Sequence, residues 1–514
     1  MAVLTNILIL LIVTIITTIV AIYMYMTRKF KHWKKKGIVE LKPTPFAGNF
    51  GDCLLMKISP GLLFKQIYDE GKGLPYVGMY IFDKPTLLLR DPEIIKRVLI
   101  KDFNYFNDRF SRASESDKIG NSNLFMIKNP DWKTVRAKLT PIFTSGRLKK
   151  MFLLMEEVGK DLDMHLASEV PEGTVGTLEM KEVCAKFTTD MIGTTAYGLK
   201  VNSLNNPDAE FRKCGRHIFT YNIRRNIEFT TIFFMPELVS TLGFQLFSKE
   251  STVFLRNAFW DTINERIKSG TKRNDLIDLL IELRQNCEKD PEQYNGFKFD
   301  GDNLVSQAAI FFTGGFETSS TTMSFTLYEL AVNTKVQNKL RLEIEEALKA
   351  SGGKITYDMV MTLPYLDMVI SETLRLYPIL PFLDRVAIQD YKIPETNLVI
   401  EKGTPVIVPM VGLHQDPQYF PHPQIYDPER FSEQNRKSLM PCVYIPFGEG
   451  PHICIGQRLG LLQSKLGIIH IISKYELSIN KKTPVPIQID PKAFLTSAVG
   501  GLHLDLKKIT TVAG

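Results

Sequence analysis

The chain lacks the marks of several large classes. Its six cysteines (Cys53, Cys184, Cys214, Cys287, Cys442, Cys454) are scattered, with no C-x-x-C pair. That pattern argues against a disulfide framework or a zinc site, and for a reducing compartment. There is no Arg-rich amphipathic presequence, which disfavours mitochondrial import, and no internal repeat or low-complexity tract. Net charge is also scarce outside one stretch. The formal charge is +7, but six positives (Arg28, Lys29, Lys31, Lys34, Lys35, Lys36) crowd into residues 28–36 with no acid among them, which leaves +1 for the rest. The basic balance describes one segment and gives no reason to expect a nucleic-acid partner.

Charge is missing altogether from residues 2–26. That apolar run exceeds the roughly 20 residues needed to cross a bilayer. It has no basic start and ends in Tyr23-Met24-Tyr25-Met26, unlike a cleaved signal peptide. The positives follow it, so the rest of the chain is expected on the cytosolic side. The organisation expected is a single-pass membrane anchor over 1–27, a basic linker stiffened by Pro43 and Pro45 over 28–45, and one folded domain over 46–514. At 514 residues, 44% hydrophobic and 23% charged, the chain can bury a large core.

Residues 75–90 read as a hairpin, YVGMYIF and TLLL about a turn at Asp83-Lys84-Pro85, opening a small β-rich lobe. Helical patterns dominate from about 130 to 380. Residues 302–332 predict one long buried helix interrupted at its centre by Gly314-Gly315. Two glycines inside a helix cost roughly 1 kcal/mol each against alanine, so something must need the space. A helix–helix crossing would need it; so would a flat bound group.

The stretch that organises these parts is 447–456, FGEGPHICIG. Gly448, Gly450 and Pro451 force tight turns before Cys454, and an apolar helix-permissive run follows. A thiol at a helix N-terminus is biased toward thiolate, and a thiolate in an apolar loop suits an axial ligand to haem iron. Phe447 would shield the sulfur, and Gly456 would allow close approach. A buried structural cysteine is the bland alternative. The pattern F-x-x-G-x-x-x-C-x-G resembles the haem loop of the cytochromes P450, and other motifs follow in that family's order. They are W-x-x-x-R (Trp132, Arg136), G-G-x-E-T (Gly314 to Thr318), E-x-x-R (Glu372, Arg375), and P-E-R-F containing Arg430. Residue by residue, W-x-x-x-R and E-x-x-R could each be a surface pair. Together with wording such as KNPDWKTVRAKLTPIFTSGRLKKMF, they make the chain similar to insect microsomal members of the family 6 type.

The resemblance implies a mainly helical α+β P450 fold with a small β-rich lobe, and haem b held by Cys454. Trp132, Arg136, Arg385, His452 and the weaker candidate Arg109 would meet its propionates. His452 stands where the family usually has arginine. Glu317 and Thr318 would deliver protons, and Glu372, Arg375 and Arg430 would form a buried structural network. Residues 227–247 would roof the substrate pocket and dip into the bilayer. Pocket positions would be Phe110, Phe125, Phe311, Phe312, Gly314, Phe382, Thr496 and Ser497. The activity implied is monooxygenation of lipophilic small molecules, xenobiotics such as plant toxins or insecticides and also endogenous lipids. Electrons would come from NADPH through NADPH-cytochrome P450 reductase, with cytochrome b5 a candidate second donor and Lys133 and Lys138 candidate contacts. The location implied is the cytosolic face of the endoplasmic reticulum membrane. Two rivals are a P450-type isomerase or dehydratase that does not use dioxygen, and a non-enzymatic haem carrier or sensor.

Overall fold

The computed structural model describes residues 2–220 and 222–509. The chain divides into two compact units, Met1–Phe110 with Pro381–Leu413, and Ser111–Leu380 with His414–Gly514.

The first unit begins with a helix, Ala2–Thr27, long and apolar enough to cross a membrane, with none of its described side chains buried. The basic segment after it folds onto a sheet. Trp33 is fully buried, and its indole N–H donates to Met79 O at 3.1 Å. Gly78 makes room for that ring, since a Cβ there would lie 2.4 Å from Trp33 Cγ. The sheet has four strands in the order Tyr76–Ile81, Lys84–Leu89, Pro405–Val408, Leu383–Val386. The first two form the expected hairpin, antiparallel with Tyr80 opposite Pro85. Val406 and Ile407 then pair in parallel with Leu87 and Leu88, so sequence-distant strands build one sheet. The Leu87-Leu88-Leu89 run is buried, as a strand covered on both faces should be.

The second unit is built around the helix Gly301–Val332. From 303 to 316 and from 318 to 328 it carries no charged residue. A helix apolar all round must be covered all round. Among the helices that cover it are a flanking helix Met180–Ala196, the helix Pro364–Leu376, and the helix Gln457–Ile472 that follows the cysteine loop. Its many hydroxyls do not stay unpaired. Thr321, Thr322 and Thr326 each donate to the carbonyl one turn back, at 2.8–2.9 Å. A three-stranded antiparallel sheet, with His503–Lys508 between Val175–Glu179 and Tyr475–Ile479, completes the unit.

Candidate functional site

The cysteine loop is fixed by backbone geometry. Gly448 and Gly450 have φ of 74° and 73°, conformations that side chains resist. They fold the loop back so that Cys454 N–H donates to Phe447 O at 2.8 Å. The following helix starts at Gln457 with Gly456 as its cap, so two turn residues separate Cys454 from the first helical residue. Cys454 is exposed, while Cys184, Cys214, Cys287 and Cys442 are buried. His452 stacks on Trp132, ring centroids 3.9 Å apart and planes 36° off parallel. The helix Asp131–Leu139 is thereby seated on the loop, with Trp132 buried and Arg136 one turn further along. On that helix Lys133 is exposed, whereas Lys138 lies over the Tyr294 ring at 4.1 Å.

The two central glycines have different reasons. A Cβ on Gly315 would sit 2.5 Å from Ile192 Cδ1 of the flanking helix; one on Gly314 would meet nothing within 4 Å. Gly315 therefore serves a helix crossing, and Gly314 faces open space. Helical rotation of about 100° per residue puts Phe311 and Thr318 on the same side as Gly314 and Phe312 on the opposite side. Phe312 is accordingly fully buried among Phe211, Tyr197 and Phe316, with ring centroids 5.0–6.1 Å away. It packs in the core of this unit. Thr318 Oγ1 donates to Gly314 O at 2.6 Å. Glu317 Oε1 is 2.9 Å from Lys181 Nζ. Gln463 of the helix after the cysteine loop donates to Gly315 O at 2.7 Å and also to Ser319. The glycine turn and the cysteine loop's helix are therefore directly bonded.

Glu372, Arg375 and Arg430 come together. Glu372 and Arg375 are fully buried and paired twice, Nε to Oε2 and Nη2 to Oε1, both at 2.7 Å. Arg375 also donates to His414 O, and Asp427 N–H and Arg430 Nε approach Glu372 Oε1 at 2.9 and 3.5 Å. Burial still pushes the Glu372 carboxyl upward, against the pull of Arg375.

Arg109, Phe110, Phe382 and Arg385 belong to the first unit. Arg385 is 1% exposed; Nη1 donates to Asp384 O at 2.7 Å, and Nε has no acceptor among the described residues. Burial, and then Arg109, push its guanidinium down to about 9. Arg109 Nη1 is 3.7 Å from Asp384 Oδ1. Phe382 packs edge-on against Phe64, and Lys84 lies over Phe110. In the second unit Phe125 lies 6.3 Å from Phe233 and Phe311 packs edge-on against Phe143 at 5.3 Å. Thr496 is buried and donates to Pro378 O; Ser497 is half-buried.

Within the second unit the residues suit haem: an exposed cysteine in a loop pinned by two positive-φ glycines, with open space at Gly314 and Gly456. The cytochrome P450 family model matches residues 42–504. The chain belongs to the cytochrome P450 family. It is 47% identical over 511 residues to cytochrome P450 6k1 of Blattella germanica, covering 97% of each chain. To probable cytochrome P450 6g2 of Drosophila melanogaster it is 45% identical over 496 residues, covering 94% of this chain and 96% of that one. To cytochrome P450 6j1 of Blattella germanica it is 40% identical over 504 residues, covering 98% of each. As a P450 the chain is a haem monooxygenase, supplied with NADPH-derived electrons by a redox partner and acting on lipophilic substrates.

Sequence reasoning missed Lys181, Gln463 and Asp384. Nothing marks Lys181 in sequence, because its partners lie about 140 residues away. Asp384 had a signal: an acid directly beside Arg385 in the sequence.

Proposed function

We propose that Cys454 is the haem iron ligand of a microsomal monooxygenase oxidising lipophilic foreign compounds, such as plant toxins or insecticides, with endogenous lipids within reach. The observation that carries this is Cys454, exposed in a loop pinned by two glycines of positive φ. When bound, haem with a thiolate ligand supplies the activation of dioxygen. The protein's residues bind, orient and move protons. The stacked His452–Trp132 pair and Arg136 would meet haem carboxylates, as would Arg385 and Arg109. Phe447 would shield the sulfur from water on its side once haem is bound. Gly314 keeps the face beside Thr318 clear. Thr318 would hand on protons that Glu317 collects from solvent. Phe110, Phe125, Phe311, Phe382, Thr496 and Ser497 would line the substrate's route. Glu372, Arg375 and Arg430 would hold the fold and do no chemistry.

The retained anchor over 1–27, with 28–45 joining it to the catalytic domain over 46–514, would place that domain on the cytosolic face of the endoplasmic reticulum. Exposed apolar residues on Ile223–Phe234 and Pro236–Leu242 support membrane contact there: Ile223, Ile227, Leu238 and Leu242 are 41–69% exposed. NADPH-cytochrome P450 reductase would be the electron donor, with cytochrome b5 a second. Exposed Lys133 suits an acidic partner better than Lys138, whose ammonium is engaged with Tyr294.

The test is reconstitution with that reductase and a panel of lipophilic compounds. Product formation that requires NADPH, reductase and dioxygen supports this reading. Turnover of hydroperoxides without dioxygen would favour an isomerase, and ligand binding with no product a carrier.

A further inference from the structure

The acid of the G-G-x-E-T turn is not left to solvent. Lys181 Nζ lies 2.9 Å from Glu317 Oε1, 2.6 Å from Ser320 Oγ and 2.9 Å from Thr321 Oγ1. The two hydroxyls donate their own protons to Glu317 O, at 3.0 and 2.8 Å, so towards Lys181 they present lone pairs. An ammonium has three donors and no acceptor, and here it meets these three close acceptors and, at 3.5 Å, Glu317 O as well. Its position is therefore determined.

The base of Lys181 is equally fixed. Glu179 caps the flanking helix, accepting from the N–H groups of Lys181 and Glu182 at 3.1 and 2.7 Å, and also from Leu502 N–H at 2.7 Å. Further along the same helix, Thr188 Oγ1 donates to Phe316 O at 2.9 Å and Ile192 fills the notch at Gly315. Three side chains of one helix thus grip consecutive residues 315, 316 and 317 of the other. The Lys181–Glu317 pair sits at the edge of the interior, with side chains 24% and 14% exposed.

We propose that Lys181 is a positioning residue for the monooxygenase reaction, holding the Glu317 carboxylate at the boundary between solvent and the Thr318 hydroxyl. This rests on the proton-delivery role given to Glu317 above. Without the ammonium the carboxylate rotates out to water, and the relay loses its collecting end. Ser320 and Thr321 belong to the same device, because they complete the ammonium's shell and hold it on the Glu317 side.

The experiment compares wild type, Lys181→Met, Lys181→Arg, Glu317→Gln and the Lys181→Met/Glu317→Gln double variant as haem-loaded full-length proteins with reductase. Two quantities are read: the fraction of NADPH electrons recovered in product, and the urea unfolding midpoint. Losing one charged hydrogen bond corresponds to about a tenfold effect. We expect Lys181→Met to lower the coupled fraction by about that factor with substrate-binding spectra unchanged, and Lys181→Arg to restore most of it. In the Glu317→Gln background Lys181→Met should cost nothing more. The midpoint shift caused by Lys181→Met should likewise shrink when Glu317 is already absent. Unchanged coupling in Lys181→Met, or the same loss in both backgrounds, overturns the proposal. A wild-type protein without the thiolate-type reduced carbonyl spectrum would instead overturn the haem-ligand reading, and the urea cycle would still report on the ion pair.

Discussion

Ile192 and Gly315 are packed so closely that a single added carbon would fall 2.5 Å from Ile192 Cδ1, while the neighbouring Gly314 has nothing within 4 Å of the same construction. Two adjacent glycines in one helix should therefore respond to alanine with opposite signs. Gly315→Ala gains about 1 kcal/mol of helix propensity and loses roughly 1–3 to overpacking, so it should destabilise. Combining it with Ile192→Val, which removes the clashing methyl, should recover part of the loss. Gly314→Ala should stabilise the fold by about 0.5–1 kcal/mol and yet impair turnover, because the methyl enters the space beside Thr318. Urea melts of the four proteins check this.

The Glu372 carboxylate is fully buried and bound twice by Arg375. Glu372→Ala leaves that guanidinium uncompensated and should cost about 3–5 kcal/mol, abolishing haem incorporation. Adding Arg375→Leu to Glu372→Ala should cost less than the sum of the single changes, because the stranded charge is gone. Haem content per polypeptide, measured with the unfolding midpoint, tests both. Full haem content and turnover in Glu372→Ala would contradict the structural role.

Arg385 is nearly inaccessible and has an N–H without an acceptor among the described residues. Burial and the adjacent Arg109 push it down to about 9, so the fold tolerates this charge at a cost that an anion would offset. Arg385→Met should speed haem loss to an acceptor apoprotein. Equal haem loss from the two proteins would remove Arg385 from the propionate assignment.

Glu329 is 6% exposed and hydrogen-bonded to Tyr377 OH at 2.6 Å and to Asn333 Nδ2 at 3.0 Å. Burial pushes its carboxyl up from 4.5 to about 7, and nearby Glu372 adds to the rise. A folded pKa above the unfolded one means that folding takes up a proton. The resulting stability is complete below about pH 4.5 and disappears as pH rises through about 7. The window corresponds to at most about 3 kcal/mol. Glu329→Gln should flatten the pH dependence of the urea midpoint between those limits. An unchanged slope would contradict the assignment.

Local pattern carried much of this molecule. The hairpin at 76–89, the Asp91 cap on Pro92–Lys96 and the long helix ending before Asn333 all follow from neighbouring residues. Motif spacing brought Glu372 and Arg375 onto one face because i and i+3 always share one. What stayed hidden depends on residues far apart in sequence. Lys181 meets Glu317 only because two helices cross at Gly315, and Gln463 reaches the same turn from another helix. An apolar run such as Phe311-Phe312 does not by itself show which side faces the core; Gly314, taken as the reference for helical phase, separates the two.

The central claim is that the Cys454 sulfur binds haem iron. The measurement is the reduced carbon monoxide difference spectrum of Cys454→Ser beside wild type, at matched haem content. The long-wavelength Soret band of a thiolate-ligated carbonyl should be present in wild type and absent in the variant, with turnover lost alongside it. A variant that keeps both the band and the activity would show that the ligand is another residue.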